Sequence, residues 1–185
     1  MTPMGESRRA HPYLESVRLR LIAATPLLVA EDLKGGTCLA AALKVDVPDN
    51  WPPELYDRRA MEYAGRQVAD PLEQGWAFWY LIDRQDDPEV LIGVCGFKGR
   101  PDREGAVEIG YSMLSQYRNQ GFATEAVSRL VSWAFSHGTV REVAAETFPY
   151  LSESIRVLEK NGFVFRGRGS EHGVIRYSVQ RSNLD

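Results

Sequence analysis

Along the first third of the chain, apolar and polar residues alternate with two different periods. Val17, Leu19 and Leu21 alternate with Arg18 and Arg20, which predicts a strand. Thr25-Pro26 has the cap-then-proline pattern that opens a helix, and Gly35-Gly36 is expected to end it. A short helix over about 39–43 leads into Val45 to Pro53, where three prolines exclude regular structure and predict the main long loop. A helix over about 55–68 follows. Trp76 to Ile82, Val90 to Phe97 and Ala106 to Met113 then read as strands joined by short turns, and so as an antiparallel meander.

Beyond Met113 the period changes to that of a helix. Ala123, Ala126, Val127, Leu130, Val131 and Ala134 share one helical face, which Gly138 should close. Val143 to Phe148 reads as a strand, Ser152 to Lys160 as a helix stopped by Asn161-Gly162, and Phe163 to Arg166 and Val174 to Val179 as closing strands. A helix joining Ala106–Met113 to Val143–Phe148 is a crossover, so these two strands are expected to be parallel neighbours. The pattern predicts a single mixed α/β domain over 13–185, preceded by a flexible tail over 1–12.

Composition narrows the class without naming a function. The 185 residues are 44% hydrophobic and 25% charged, as in an ordinary globular protein, and 22 basic against 25 acidic residues leave a net charge of −3. Slight acidity argues against nucleic acid as the partner. Cys38 and Cys95 stand far apart among apolar neighbours, which suggests neither disulfides nor a thiolate metal site and fits a reducing cytoplasm. No stretch has the length and apolarity of a membrane span or a signal peptide. His11, His137 and His172 lack metal-ligand spacing, so no metal is expected.

The segment richest in chemical signals runs from Val107 to Ala126: a strand, a tight turn and a helix whose first turn carries Gly121 and Ala123. The first amides of a helix have no intrahelical partner, and with the helix dipole they suit a phosphate or pyrophosphate. The same spacing also fits an ordinary strand-to-helix turn. Neither a nucleophile elbow nor a Walker phosphate loop occurs.

Arg118-Asn119-Gln120-Gly121-Phe122-Ala123 resembles the Gln/Arg-x-x-Gly-x-Gly/Ala signature of the GNAT superfamily of N-acetyltransferases. Glu108-Ile109-Gly110-Tyr111 before it, Ala123-Thr124-Glu125-Ala126 after it, and Ser154 to Phe163 further on are similar to the branch containing the ribosomal-protein N-terminal acetyltransferases, as is the opening strand Ser16 to Leu21. The resemblance covers about Val17 to Val179. It implies a mostly antiparallel sheet of about seven strands, with helices on both faces and a parallel pair splayed at a coenzyme cleft. It further implies acetyl-CoA as co-substrate, bound through Arg118, Asn119, Gln120, Gly121, Phe122, Ala123 and Thr124 at the pyrophosphate. Ser112, Met113 and Leu114 would pair with the pantetheine arm. A bulge in the strand holding Met113 would free an N–H there for the thioester oxygen.

The expected reaction is direct acetyl transfer to a primary amine, on a small molecule or a protein N-terminus, in a ternary complex. Glu108 sits where relatives carry a carboxylate facing the acceptor, and reads either as a general base or as a structural carboxylate. Ser154 matches a serine near the sulfur and reads either as a thiolate donor or as a helix-surface residue; Leu158 stands where many relatives have a tyrosine. Leu151 replaces a usual asparagine, so an alternative is a non-catalytic acyl-CoA-binding sensor. Glu125 is expected to complement the helix dipole or to make a helix–sheet hydrogen bond, Tyr111 and Tyr117 to pack with their hydroxyls wet, and Arg156 and Lys160 to lie on a solvated face. Asp46, Asp49, Asn50, Trp51, Trp76 and Trp79 are the acceptor-pocket candidates, with Asp49, Trp51 and Trp79 foremost. Odd spacing predicts that Trp76 and Trp79 face opposite sides. The oligomeric state, monomer or homodimer, is open.

Overall fold

The computed structural model describes residues 11–181. In chain order the elements are β1 (Tyr13–Glu15), β2 (Leu19–Ala23), α1 (Pro26–Lys34), α2 (Gly36–Leu43), α3 (Arg58–Val68), β3 (Phe78–Asp83), β4 (Val90–Phe97), β5 (Ala106–Met113), α4 (Phe122–Ser136), β6 (Glu142–Thr147), α5 (Ser152–Lys160), β7 (Val164–Arg168) and β8 (Ile175–Gln180). Most of the expected tail lies outside the described residues. Its end does not: the Pro12 carbonyl accepts from Ala23 N–H at 2.9 Å, and β1, absent from the sequence reading, pairs with β2. Val17 lies outside the strand and is 94% exposed.

The strands form one sheet of eight in the order β1-β2-β3-β4-β5-β6-β8-β7. Every neighbouring pair is antiparallel except β5 and β6, which are parallel as the crossover requires. Helices cover both faces. The apolar stripe of α4, including Phe122, Val127, Leu130 and Val131, packs on one face with residues of α5. Leu28, Val29, Leu39, Leu43, Met61 and Val68 of α1 to α3 pack on the other, over β2 to β4. That second cluster takes no residue from β5, β6 or β8, so among the described residues no helix packs over that half of the face.

The parallel pair is short. Only Ala106 to Glu108 pair with Glu142 to Ala144; beyond them β5 stays in register with β4, while β6 stays in register with β8 as far as Thr147. Each strand follows its antiparallel partner, and the sheet opens between them from Ile109 onward.

Candidate coenzyme and acceptor site

The turn before α4 is shaped by two left-handed residues, Asn119 at φ 60° and Gly121 at φ 84°. Gly121 is the cap residue of α4 and provides no side chain to bond the first amides. Glu125 N–H is the first to bond back into the helix, to Gly121 C=O at 3.0 Å, so Phe122, Ala123 and Thr124 present the free N–H groups of the first turn. The side chains around them are turned aside. Asn119 donates to Glu153 at 3.0 Å, Gln120 to the Gln116 carbonyl at 2.7 Å, and Phe122 is buried beneath the Arg18 guanidinium, 4.2 Å from its ring centre.

Glu125 braces this turn from behind. Its carboxylate accepts from the Ser16 hydroxyl at 2.7 Å, Arg18 N–H at 2.7 Å and Arg18 Nε at 2.8 Å. Burial alone would raise its pKa, but the Arg18 and Ser16 bonds outweigh burial and hold it below the usual carboxylate range.

The open edge of β5 supplies the second half of the site. Lys98 N–H donates to Glu108 C=O at 2.9 Å and Leu114 N–H to Ile92 C=O at 3.0 Å. In an antiparallel ladder such pairs alternate, so Glu108, Gly110, Ser112 and Leu114 turn their backbone groups to β4. Ile109, Tyr111 and Met113 turn theirs to the gap; the Met113 carbonyl there accepts from Arg118 Nε at 3.1 Å. Two expectations are corrected by this register. β5 has no bulge against β4: the register runs unbroken from Gly93↔Met113 to Phe97↔Ile109, and the irregularity lies one strand away, where Leu81/Ile82 of β3 skip Ile92 of β4. Met113 N–H faces the gap through alternation alone. Ser112 and Leu114 turn their backbone groups to β4, so the groups left open to an added strand are those of Tyr111 and Met113.

Side chains of β5 divide between the two faces. Tyr111 points to α5, where its hydroxyl lies 3.0 Å from Ser154 Oγ and 3.1 Å from the Ser154 carbonyl. Desolvation pushes the phenol up to about 12, so Tyr111 stays a protonated donor. Tyr111 thus packs as expected, but its hydroxyl is not simply wet. Glu108 points to the opposite face, where it pairs with Lys98 and borders a shallow cavity of ≈ 220 Å³ with Arg100, Asp102 and Arg176. Ser112, also on this face, donates to the Glu54 carbonyl, and the Glu54 carboxylate pairs with Arg118 at 2.9 Å.

The acceptor-pocket candidates scatter. Asn50 exchanges amide hydrogen bonds with Gln116 at 2.9 and 3.1 Å, beside the signature turn. Asp46 serves through its backbone, bridging to the start of β4 by bonds to Glu89 and Leu91, and Asp49 is exposed on the loop. Trp51 turns inward: its indole N–H donates to Asp32 at 2.8 Å, alongside Tyr56 O–H at 3.1 Å and Tyr80 O–H at 3.0 Å. Burial raises the Asp32 pKa against the pull of these three donors. Trp79 is not an acceptor residue. It is 2% exposed, bonds the Gly75 carbonyl at 2.9 Å and packs on Trp133 of α4, and Trp76 packs on the same Trp133. The predicted opposition fails because Trp76 lies in the turn before β3, where strand alternation has not begun.

Sequence reasoning missed Asp32, Glu54 and Arg18. Among the described residues, no group of three or more His, Cys, Asp or Glu side chains is placed to hold a metal ion.

A turn with free helix amides, beside two parallel strands that part, is suited to an anionic ligand, and the comparisons name the family. Residues 32–164 match the model of the acetyltransferase (GNAT) domain, and the chain belongs to that family of acetyl-CoA-dependent acetyltransferases. It is 29% identical over 160 residues to the uncharacterized N-acetyltransferase YjdG of Bacillus subtilis strain 168, covering 86% of this chain and 94% of the relative. To the ribosomal-protein-serine acetyltransferase of Escherichia coli K12 it is 24% identical over 118 residues, 64% of each chain. Among solved structures, the ribosomal L7/L12 alpha-N-protein acetyltransferase RimL in complex with coenzyme A superposes with a TM-score of 0.66 at 18% identity, covering 91% of this chain and 98% of that one.

Proposed function

We propose that the chain transfers an acetyl group from acetyl-CoA directly to a primary amine, on a protein N-terminus or a small molecule, with coenzyme and amine on opposite faces of β5. The observation that carries this reading is the uncapped N-terminus of α4 at the mouth of the splayed β5/β6 edge. Bound acetyl-CoA supplies the activated acyl group as a thioester. The Arg118 N–H is taken by the Ser115 carbonyl at 3.2 Å, so the amides from Asn119 to Thr124 hold the pyrophosphate, and the Tyr111 and Met113 N–H groups donate to the thioester end and the pantetheine arm as in β-strand addition.

One distance constrains the roles. Glu108 lies three residues from Tyr111 and five from Met113, about 10 Å and about 16 Å along the strand. A base acts through a direct contact or one water. Glu108 therefore serves an amine positioned near Tyr111, whose N–H is the better donor to the thioester oxygen as charge develops there, while Met113 N–H holds the arm. An alkyl ammonium is protonated near neutrality, and Glu108, ion-paired with Lys98 beside a recess open to water, takes its proton. Ser154, backed by the Tyr111 hydroxyl, donates a hydrogen bond to the departing thiolate.

Calorimetric titration with acetyl-CoA, using Gly121→Trp as control, tests the coenzyme half. Thiol release with a panel of peptides, polyamines, amino acids and aminoglycosides tests the transfer. Tight binding without release from any amine would favour a coenzyme sensor, a reading motivated by Leu151, which opens α5 without a capping side chain.

A further inference from the structure

Two glycines stand side by side in the sheet: Phe78 of β3, Gly96 of β4 and Gly110 of β5 form one row of the ladder. Gly96 is explained by crowding, since a Cβ there would stand 2.2 Å from Phe78 Cα and 2.4 Å from the Ala77 carbonyl. Gly110 is not. Its backbone is not left-handed, the β4/β5 register is regular around it, and a Cβ would meet nothing within 4 Å. Although β5 is an interior strand, Gly110 is exposed. A glycine inside a strand weakens it and commonly marks close approach of a ligand when neither bulge nor backbone explains it.

The surroundings say which ligand. Gly110 shares its face with Glu108 and Ser112, the face away from α4 and α5, so the bare patch lies opposite the Tyr111 side chain and Ser154. Glu108, two residues away, brings a carboxylate within about 7 Å along the strand. The half-buried Phe78 stands at the other end of the row, and among the described residues no helix packs over β5, β6 and β8 on this face.

Building on the acetyl-transfer reading, we propose that Gly110 is the specificity-determining floor of the acceptor site: the carbon chain next to the reacting amine crosses the strand there, between Phe78 and the open half of the face. The missing side chain leaves room for that chain, and Glu108 meets its ammonium group.

The test compares wild type, Gly110→Ala and Gly110→Val. Each is read by melting temperature, calorimetric acetyl-CoA affinity, and kcat/KM for a hexapeptide with N-terminal serine and for spermidine. Because valine is β-branched and suits a strand, and alanine loses less chain entropy on folding than glycine, both variants should melt no lower than wild type and bind acetyl-CoA within twofold. Gly110→Val should lose at least tenfold in kcat/KM for whichever amine is used, mostly in KM, and Gly110→Ala less. Unchanged kcat/KM in Gly110→Val, or loss of coenzyme binding, overturns the assignment. Should wild type release no thiol with these two or any other amine of the panel, the transfer reading fails and a second readout decides this one. Gly110→Cys is made in a Cys38→Ser background and alkylated with iodoacetamide in the presence of coenzyme A. Protection by either amine, at least threefold in rate, supports the acceptor floor; no protection by both overturns it.

Discussion

Replacing Gly121 separates the two readings of the signature turn. Gly121 caps α4 at φ 84°, a conformation that costs an alanine roughly 1–2 kcal/mol. The smaller entropy of the unfolded alanine chain offsets about 0.4–1 kcal/mol of this. A net loss of about 1 kcal/mol should lower the melting temperature of a chain this size by about 2–4 °C. The new Cβ lies 3.3 Å from Arg18 Nη2, the far end of a flexible side chain, so space adds little. If the turn only serves the backbone, stability is all that changes. If its amides hold a pyrophosphate, tilting them to relieve strain weakens at least one charge-assisted bond, worth about 1.5–3 kcal/mol, and acetyl-CoA binding falls at least tenfold. Gly121→Asn is the control, because asparagine tolerates the left-handed region and should recover most of the stability. Differential scanning calorimetry and titration calorimetry on the same samples give both quantities. Acetyl-CoA affinity unchanged in Gly121→Ala, despite the expected fall in melting temperature, would refute the phosphate role.

Other residues give independent checks. Glu125→Gln removes the charge that three donors from Ser16 and Arg18 surround, and should cost about 2 kcal/mol at pH 7. Because the folded-state pKa of Glu125 is lowered, its contribution is present above the ordinary value of 4.5 and is lost as pH falls through the folded value. The gap between variant and wild type in urea unfolding should therefore close below about pH 4.5. Gly96→Ala must displace the backbone of Phe78 and Ala77, and should destabilise by about 3 kcal/mol in the same assay, in contrast to its neighbour Gly110. Asp32→Leu leaves the Trp51, Tyr56 and Tyr80 donors without their acceptor and should cost about 3 kcal/mol or more; Asp32→Asn, which keeps a carbonyl oxygen, should cost less.

What could be read from the sequence was what local periodicity controls. The apolar stripe of α4, the short turns of the meander and the crossover to β6 depend on neighbours in the chain, and they fold as their pattern predicts. The turn before α4 is legible through its resemblance to the family signature, since its spacing alone also fits an ordinary strand-to-helix turn. Contacts between distant segments were not. Tyr111 meets Ser154 across 43 residues and Asp32 meets Tyr80 across 48, and no local pattern distinguishes them from packed or exposed residues. Trp76 and Trp79 were misread because alternation was extended through a turn into β3. The bulge was expected in β5 but lies at Ile92 of β4, since a one-residue irregularity leaves little trace in hydrophobicity. Gly110, in the motif that suggested the family, was passed over because glycine in a sequence is silent about whether its missing side chain is replaced by backbone or by a ligand.

The geometry of β5 also bears on whether the acetyl group rests on the protein before reaching the amine. A covalent intermediate needs a nucleophile at the gap between β5 and β6. Cys95, the cysteine nearest this strand, pairs with Tyr111 but is 1% exposed, and burial pushes its thiol up, away from the reactive thiolate. Ser112 is turned to the other face and donates to Glu54, and Ser154 is hydrogen-bonded to Tyr111, a phenol that stays protonated and so takes no proton from it. Successive residues of a strand face opposite ways, so in the proposed site Gly110 and Tyr111 would put the entering amine and the leaving sulfur on opposite sides of the acyl carbon without any relay. Intact-mass measurement after mixing with excess acetyl-CoA in the absence of amine should show no species heavier by one acetyl group. A stoichiometric adduct that disappears on adding amine would overturn the direct-transfer assignment, and mapping its site would name the nucleophile.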